Sequence, residues 1–237
     1  MDPKEKLIIA LDVNTGEKAL ALVDALKSEV KFFKVGLELF SSCGPSIVKD
    51  VNRKGCRIFL DLKFHDIPNT VSRSAVSVTG LGVFMLNLHA LGGYEMMKRS
   101  AAAAREEADR LKITRPKVIA VTILTSMDEM ALKKAGISDN MDAEVLKLAK
   151  LAQEAGLDGV VASPSEIKPL RRALGEDFLI VTPGVRPEWA AAGDQKRIAT
   201  PARAIADGAS YIVVGRPVTE AADQREAVEK ILKEMRL

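Results

Sequence analysis

The sequence predicts an α/β fold, a single-domain (β/α)₈ (TIM) barrel, on three observations. Eight short apolar runs recur along the chain, segments of helical periodicity separate them, and 237 residues is an ordinary length for one such barrel. Strands that alternate with helices require a parallel sheet with crossover helices. A doubly wound open sheet would use the same alternation, but no Gly-x-Gly-x-x-Gly follows the first apolar run. No linker, low-complexity tract or charge block divides residues 1–237, so one domain is expected.

Taken in order, the expected strands are Leu7–Val13, Phe32–Leu39, Arg57–Leu62, Val83–His89, Val118–Leu124, Gly159–Ala162, Leu179–Thr182 and Tyr211–Val214. After the first, Ala19, Val23, Leu26 and Val30 recur every three to four residues, with Asn14 or Thr15 as the helix N-cap. Met96–Leu111, rich in Ala, Arg and Glu, has the composition of an exposed helix. Val145, Leu148, Leu151, Ala152 and Ala155 form a further apolar stripe that stops at Gly156, a C′ glycine.

Composition narrows the partners. The net charge of +3 is small and the basic residues are interspersed with acidic ones, which argues against nucleic acid. An anionic ligand must therefore be met by a local basic site. No apolar run approaches the roughly 20 residues that span a bilayer, and the polar opening Met1–Lys6 does not read as a signal peptide. Cys43 and Cys56 have no metal-type spacing, so free thiols and a reduced cytoplasmic setting are expected.

The third expected strand runs into a charge cluster: Asp61, Lys63, His65 and Asp66, followed by a helix start at Pro68 and Asn69. Side chains alternate along a strand, so Asp61, Lys63 and His65 are expected on one face. Burying such ions costs several kcal/mol each unless they are well paired. A structural salt bridge is one reading of the cluster. Proton transfer is the better one, because charges at a strand end have perturbed pKa values.

Other strand ends carry polar groups at equivalent places: Asp12 after the first, Lys34 within the second, His89 at the fourth, and Thr125 and Ser126 after the fifth. The C-terminal ends of barrel strands are where function gathers. Thr182-Pro183-Gly184-Val185-Arg186 and Val214-Gly215-Arg216-Pro217 follow the seventh and eighth strands, the usual phosphate end of a barrel. Glycine lets backbone N–H groups approach an anion, and arginine adds bidentate contacts. Between them the connection 187–201 is long enough to be a phosphate lid, with Gln195 reaching the anion.

These residues resemble the orotidine 5′-monophosphate decarboxylase family. Asp61-x-Lys63-x-x-Asp66-Ile-Pro-Asn-Thr70 matches its D-x-K-x-x-D-I-P-x-T pattern. Ala10-Leu11-Asp12, Lys34-Val35-Gly36, Leu124-Thr125-Ser126, Thr182–Arg186 and Val214–Pro217 follow in family order across the chain, at the length of the short prokaryotic forms.

The resemblance implies a carboxy-lyase that converts orotidine 5′-monophosphate to UMP in de novo pyrimidine biosynthesis. In it Lys63 would protonate C6 of the pyrimidine, Asp61 would sit beside the leaving carboxylate, and Lys34 would complete an alternating charge array. Asp12 and Lys34 would hold the ribose hydroxyls, Thr125 or the adjacent Ser126 would read the pyrimidine edge, and Arg186, Gln195, Gly215 and Arg216 would hold the phosphate. Asp66 and Thr70 would reach a neighbouring subunit's site, which implies a homodimer with shared sites. His65 is expected in a structural or supporting role, and His89 as a barrel-interior residue outside the catalytic set.

The chemistry agrees. Losing carbon dioxide from the ring leaves a poorly delocalised carbanion, and neither a cofactor site nor a metal-ligand cluster is visible in the sequence, so no cofactor is expected. A preorganised ammonium must then supply the stabilisation. The closest rival is a Mg²⁺-dependent barrel acting on a sugar phosphate, which would need a carboxylate ligand after the second strand, where Glu38 lies; insensitivity to EDTA would separate the two. A non-catalytic nucleotide-binding barrel has no need of the costly charge cluster.

Overall fold

Each apolar run becomes a strand covered on both faces, as a parallel sheet between a filled interior and a ring of helices requires. The computed structural model describes residues 2–190 and 199–236. Its strands are β1 (Leu7–Ala10), β2 (Phe32–Gly36), β3 (Arg57–Phe64), β4 (Met85–His89), β5 (Lys117–Val121), β6 (Gly159–Val161), β7 (Leu179–Thr182) and β8 (Tyr211–Val214). They pair in chain order, and β8 returns to β1 to close the barrel.

The helices of the described residues are α1 (Gly16–Leu26), α2 (Leu37–Cys43), α3 (Ser46–Arg53), α4 (Pro68–Thr79), α5 (Tyr94–Leu111), α6 (Glu129–Lys134), α7 (Met141–Glu154), α8 (Ile167–Leu174), α9 (Pro201–Ala206), α10 (Arg216–Thr219) and α11 (Gln224–Glu234). Thr15 caps α1, accepting a hydrogen bond from the Lys18 amide at 3.3 Å, while Asn14 accepts from the Lys18 ammonium instead. Gly156, with φ 79°, ends α7 in the left-handed conformation that L side chains resist. The α5 helix is less exposed than its composition suggests, since Met96, Met97, Ser100, Ala101, Ala104 and Ala108 bury one face. Among the described residues no helix is long and apolar enough to cross a membrane.

Several strands stop earlier than their apolar runs. The runs expected to end at Val13, Leu39 and Leu124 stop pairing at Ala10, Gly36 and Val121. The Leu11 amide makes the last bond to β2, donating to the Lys34 carbonyl at 2.9 Å, and Leu39 and Ile123 stay buried past their strands, so apolar character persists beyond the last ladder bond and does not mark it. The third strand instead runs on to Phe64, with a register shift against β4 between Leu60 and Phe64.

Period-two alternation sorts the strands into two apolar layers. Leu7, Ile9, Phe33, Ile58 and Leu60 face the helices, whereas Ile8, Ala10, Phe32, Phe59, Met85, Val121, Val161, Val181 and Val213 fill the barrel. At the N-terminal end Phe32, Phe84 and Tyr211 meet in tilted and edge-to-face contacts with centroids 4.7–6.0 Å apart, and the Arg57 guanidinium lies 5.6 Å from the Phe84 ring. Burial of such side chains contributes about 1.5–3 kcal/mol each, and this frame carries the polar groups at the opposite end.

Candidate active site

Following the inward face of each strand toward its C-terminal end leads out of the apolar interior into charge. Phe32 is followed by Lys34, Phe59 by Asp61 and Lys63, Ala10 by Asp12, and Val213 by Gly215. All of these except Phe32 line a cavity of about 290 Å³, with Phe59, Val121, Val161, Val181 and Val213 among its apolar lining. One side carries Asp12, Lys34, Asp61 and Lys63; Gly184, Arg186, Gly215 and Arg216 contribute another part of the lining.

The first side is an unbroken line of alternating charge. Lys34 Nζ lies 2.9 Å from Asp12 Oδ1 and 3.4 Å from Asp61 Oδ2, and Lys63 Nζ lies 2.6 Å from Asp61 Oδ1. Gly36 makes room for it, because a Cβ there would stand 3.0 Å from Lys34 Nζ. Burial by itself would raise the Asp61 carboxyl. The ammonium groups of Lys34 and Lys63, with hydrogen bonds from Lys63 and Asn87, outweigh it and hold Asp61 below the usual carboxylate range. For Lys34 burial acts downward, but the Asp61 and Asp12 carboxylates prevail and raise it. The line is therefore fully ionised at neutral pH at Asp61 and Lys34.

Lys63 departs from the strand in an unusual way. Its φ is 51°, one of two positive values among non-glycine residues of the described chain, and it falls inside the register shift of β3. A left-handed conformation at such a residue costs of order 1 kcal/mol or more and clusters at functional sites. The Lys63 amide, turned out of the ladder, donates to Asn87 Oδ1 at 2.8 Å.

The profile of the Orotidine 5'-phosphate decarboxylase / HUMPS family matches residues 5–231. The chain belongs to that family. It is 51% identical to the orotidine 5'-phosphate decarboxylase of Moorella thermoacetica over 238 aligned positions, covering 100% of this chain and 94% of that one. It is 48% identical to the enzyme of that name from Syntrophomonas wolfei, with 99% of each chain covered. The crystal structure of orotidine 5'-phosphate decarboxylase from Lactobacillus acidophilus superposes with a TM-score of 0.88 at 40% identity, covering 98% of this chain and 100% of that one.

In this member of the decarboxylase family, Thr125 lines the cavity beside Leu124, whereas Ser126 does not. Asp66 and Thr70 do not line it either. Both are exposed, and Asp66 Oδ1 accepts the Ile67 amide at 2.6 Å, at the start of α4. Gln195 and most of the expected lid lie outside the described residues. The ends of that connection are pinned together by a bridge between Val185 and Ala199, with the Arg186 amide donating to the Ala199 carbonyl at 3.0 Å.

His65 does not share the cavity with Asp61 and Lys63, contrary to the simple alternation. Beyond the left-handed turn at Lys63 its ring stacks on His89, with centroids 5.3 Å apart. Burial, then the charges of His65 and Lys63, lower the His89 pKa and keep that imidazole neutral at pH 7. Glu38 is exposed on α2 and is not part of the cavity lining. Among the described residues no group of three or more His, Cys, Asp or Glu could hold a metal ion.

One residue of the site carries no motif. Asn87, fully buried on β4, donates from Nδ2 to Asp61 Oδ1 at 2.7 Å. Its only signal in the sequence is a lone carboxamide two residues after Met85, on the inward face of β4.

Proposed function

We propose that this protein decarboxylates orotidine 5′-monophosphate to UMP in pyrimidine biosynthesis, without a cofactor, and that Lys63 protonates C6. The observation that carries this reading is the alternating line Asp12–Lys34–Asp61–Lys63 in a cavity that also presents Arg186 and Arg216. The bond between C6 and the carboxylate breaks, carbon dioxide leaves, and the electron pair remains at C6. An ammonium already fixed beside that carbon stabilises the pair and then delivers its proton, so no reorganisation is needed at the moment of reaction.

The other residues take roles suited to their places. Asp61 faces the departing carboxylate, Asp12 and Lys34 hold the ribose hydroxyls, and Thr125 reads the pyrimidine edge. Gly215, Arg186 and Arg216 hold the phosphate, and residues 187–201 act as its lid, with Gln195 contributing from there. The pinned ends of that connection suit a lid. Binding energy from the remote phosphate can then offset the cost of closing the site and desolvating its charges.

In this reading Asp66 and Thr70 complete the cavity of a second copy, and the enzyme is a homodimer. Their absence from this chain's own cavity supports that role, as do the exposed Leu37, Ile67 and Leu91, which lie beyond neighbouring strands. The reading treats residues 1–237 as one domain acting in the cytoplasm, a setting compatible with the free thiols of Cys43 and Cys56.

Mixing the purified protein with orotidine 5′-monophosphate, with and without EDTA, and following ultraviolet absorbance tests it. Loss of substrate at the same rate in both is expected. No loss of substrate would overturn the reading, and loss that EDTA abolishes would point to the metal-dependent alternative.

A further inference from the structure

Asn87 belongs to none of the motifs that identify the family, and no charge draws attention to it, yet it touches both members of the Lys63–Asp61 pair. Its Nδ2 donates to Asp61 Oδ1 at 2.7 Å and its Oδ1 accepts from the Lys63 backbone amide at 2.8 Å. The orientation of the carboxamide is forced. An ionised carboxylate only accepts and a peptide N–H only donates, so the amide nitrogen must face Asp61 and its oxygen Lys63.

Both bonds act where the strand is irregular. The register of β3 against β4 shifts between Leu60 and Phe64, and within the shift Lys63 adopts φ 51°. The Asn87 side chain stands in for the carbonyl that a regular ladder would offer the Lys63 amide. The same Asp61 oxygen that receives Lys63 Nζ at 2.6 Å also receives Asn87, which limits rotation of the carboxylate.

Few side chains could replace it. An ionised aspartate of the same shape lacks the donor and would set a second negative charge against Asp61. A leucine has neither polar group, and a buried amide N–H or carboxylate left without a partner is costly. A neutral group with one donor and one acceptor preserves the charge alternation.

We propose that Asn87 is a positioning residue for the reaction, fixing the Lys63 ammonium by holding its backbone turn and its Asp61 partner together. This rests on the proposed decarboxylation, and wild-type turnover tests that reading separately. In folded Asn87→Ala, kcat should fall about 10- to 100-fold while affinity for the product nucleotide stays within about threefold of wild type.

Asn87→Asp adds a signature that a purely structural role would not produce. At pH 8 two adjoining carboxylates repel, whereas on acidification a proton shared between them restores a donor toward Asp61. Relative to wild type, its kcat/KM should therefore rise at least about tenfold as pH falls from 8 to 5.5. Wild-type kcat in both folded variants, or an Asn87→Asp profile parallel to wild type, would overturn the inference. Hydrogen exchange of the Lys63 amide requires no turnover: it should accelerate in Asn87→Ala, and unchanged exchange would refute the hold on the backbone even if the proposed reaction proved wrong.

Discussion

The Lys63 ammonium lies 2.6 Å from Asp61 Oδ1, although Lys63 sits in a left-handed turn of the strand that carries both residues. A strained backbone beside a tight, partly buried ion pair is an arrangement that stability alone does not favour. If the ammonium is the proton source and the stabilising charge, Lys63→Ala should abolish measurable decarboxylation. Product-nucleotide affinity should remain within about tenfold, since the phosphate and ribose contacts survive. Single-turnover assays beside calorimetric titration separate the two effects, and retained decarboxylation would remove Lys63 from the mechanism.

Arg216 lines the same cavity beside Gly215, at the start of α10. A bidentate guanidinium–phosphate contact is a strong charge-assisted interaction. Arg216→Ala is expected to lower kcat/KM by about 10²-fold or more, a loss of about 3 kcal/mol in transition-state binding. Steady-state kinetics with the nucleotide substrate check this, and an unchanged kcat/KM would exclude Arg216 from the phosphate grip.

The pKa directions of the charge line set a pH window. Asp61 is lowered in the fold, so its contribution to stability is fully present above the unfolded value of about 3.9 and is lost as pH falls through the lower folded value. Lys34 is raised, so its contribution is present below about 10.4 and is lost as pH rises through the folded value. Between about pH 5 and 9 neither group titrates. The stability difference between wild type and Asp61→Asn should accordingly stay constant from about pH 5 to 8 and change only below about 4. Urea denaturation across that range measures it, and a difference that drifts between pH 5 and 8 would contradict the depressed Asp61.

The barrel was legible because a parallel sheet buried on both faces leaves eight apolar runs in the sequence, and the charges stood out against them. Strand ends were not, since Leu39 and Ile123 stay buried after the ladder has stopped. His65 departs from the expected face for a related reason. Alternation assumes a regular pleat, and the turn at Lys63 breaks it without any glycine or proline to announce the break. Asn87 was invisible because its value lies in two hydrogen bonds to residues 24 and 26 positions away, which no local pattern encodes.

Asp66 and Thr70 end the signature motif yet stay outside the cavity that Asp61 and Lys63 line. If they serve a second copy, each complete site takes Lys63 from one chain and Asp66 from the other. Lys63→Ala and Asp66→Ala should then both be severely impaired alone. When the two are co-expressed with different tags, a heterodimer combines the intact Lys63 of one chain with the intact Asp66 of its partner and pairs the two lesions in its other site. Random pairing makes half of the dimers mixed and restores one site in each, so activity should return to about a quarter of wild type. Activity assays on the doubly tagged dimer decide the matter. Recovery to about half in that purified species is the expected result, and no recovery in a folded heterodimer would show that each cavity works with its own chain's residues.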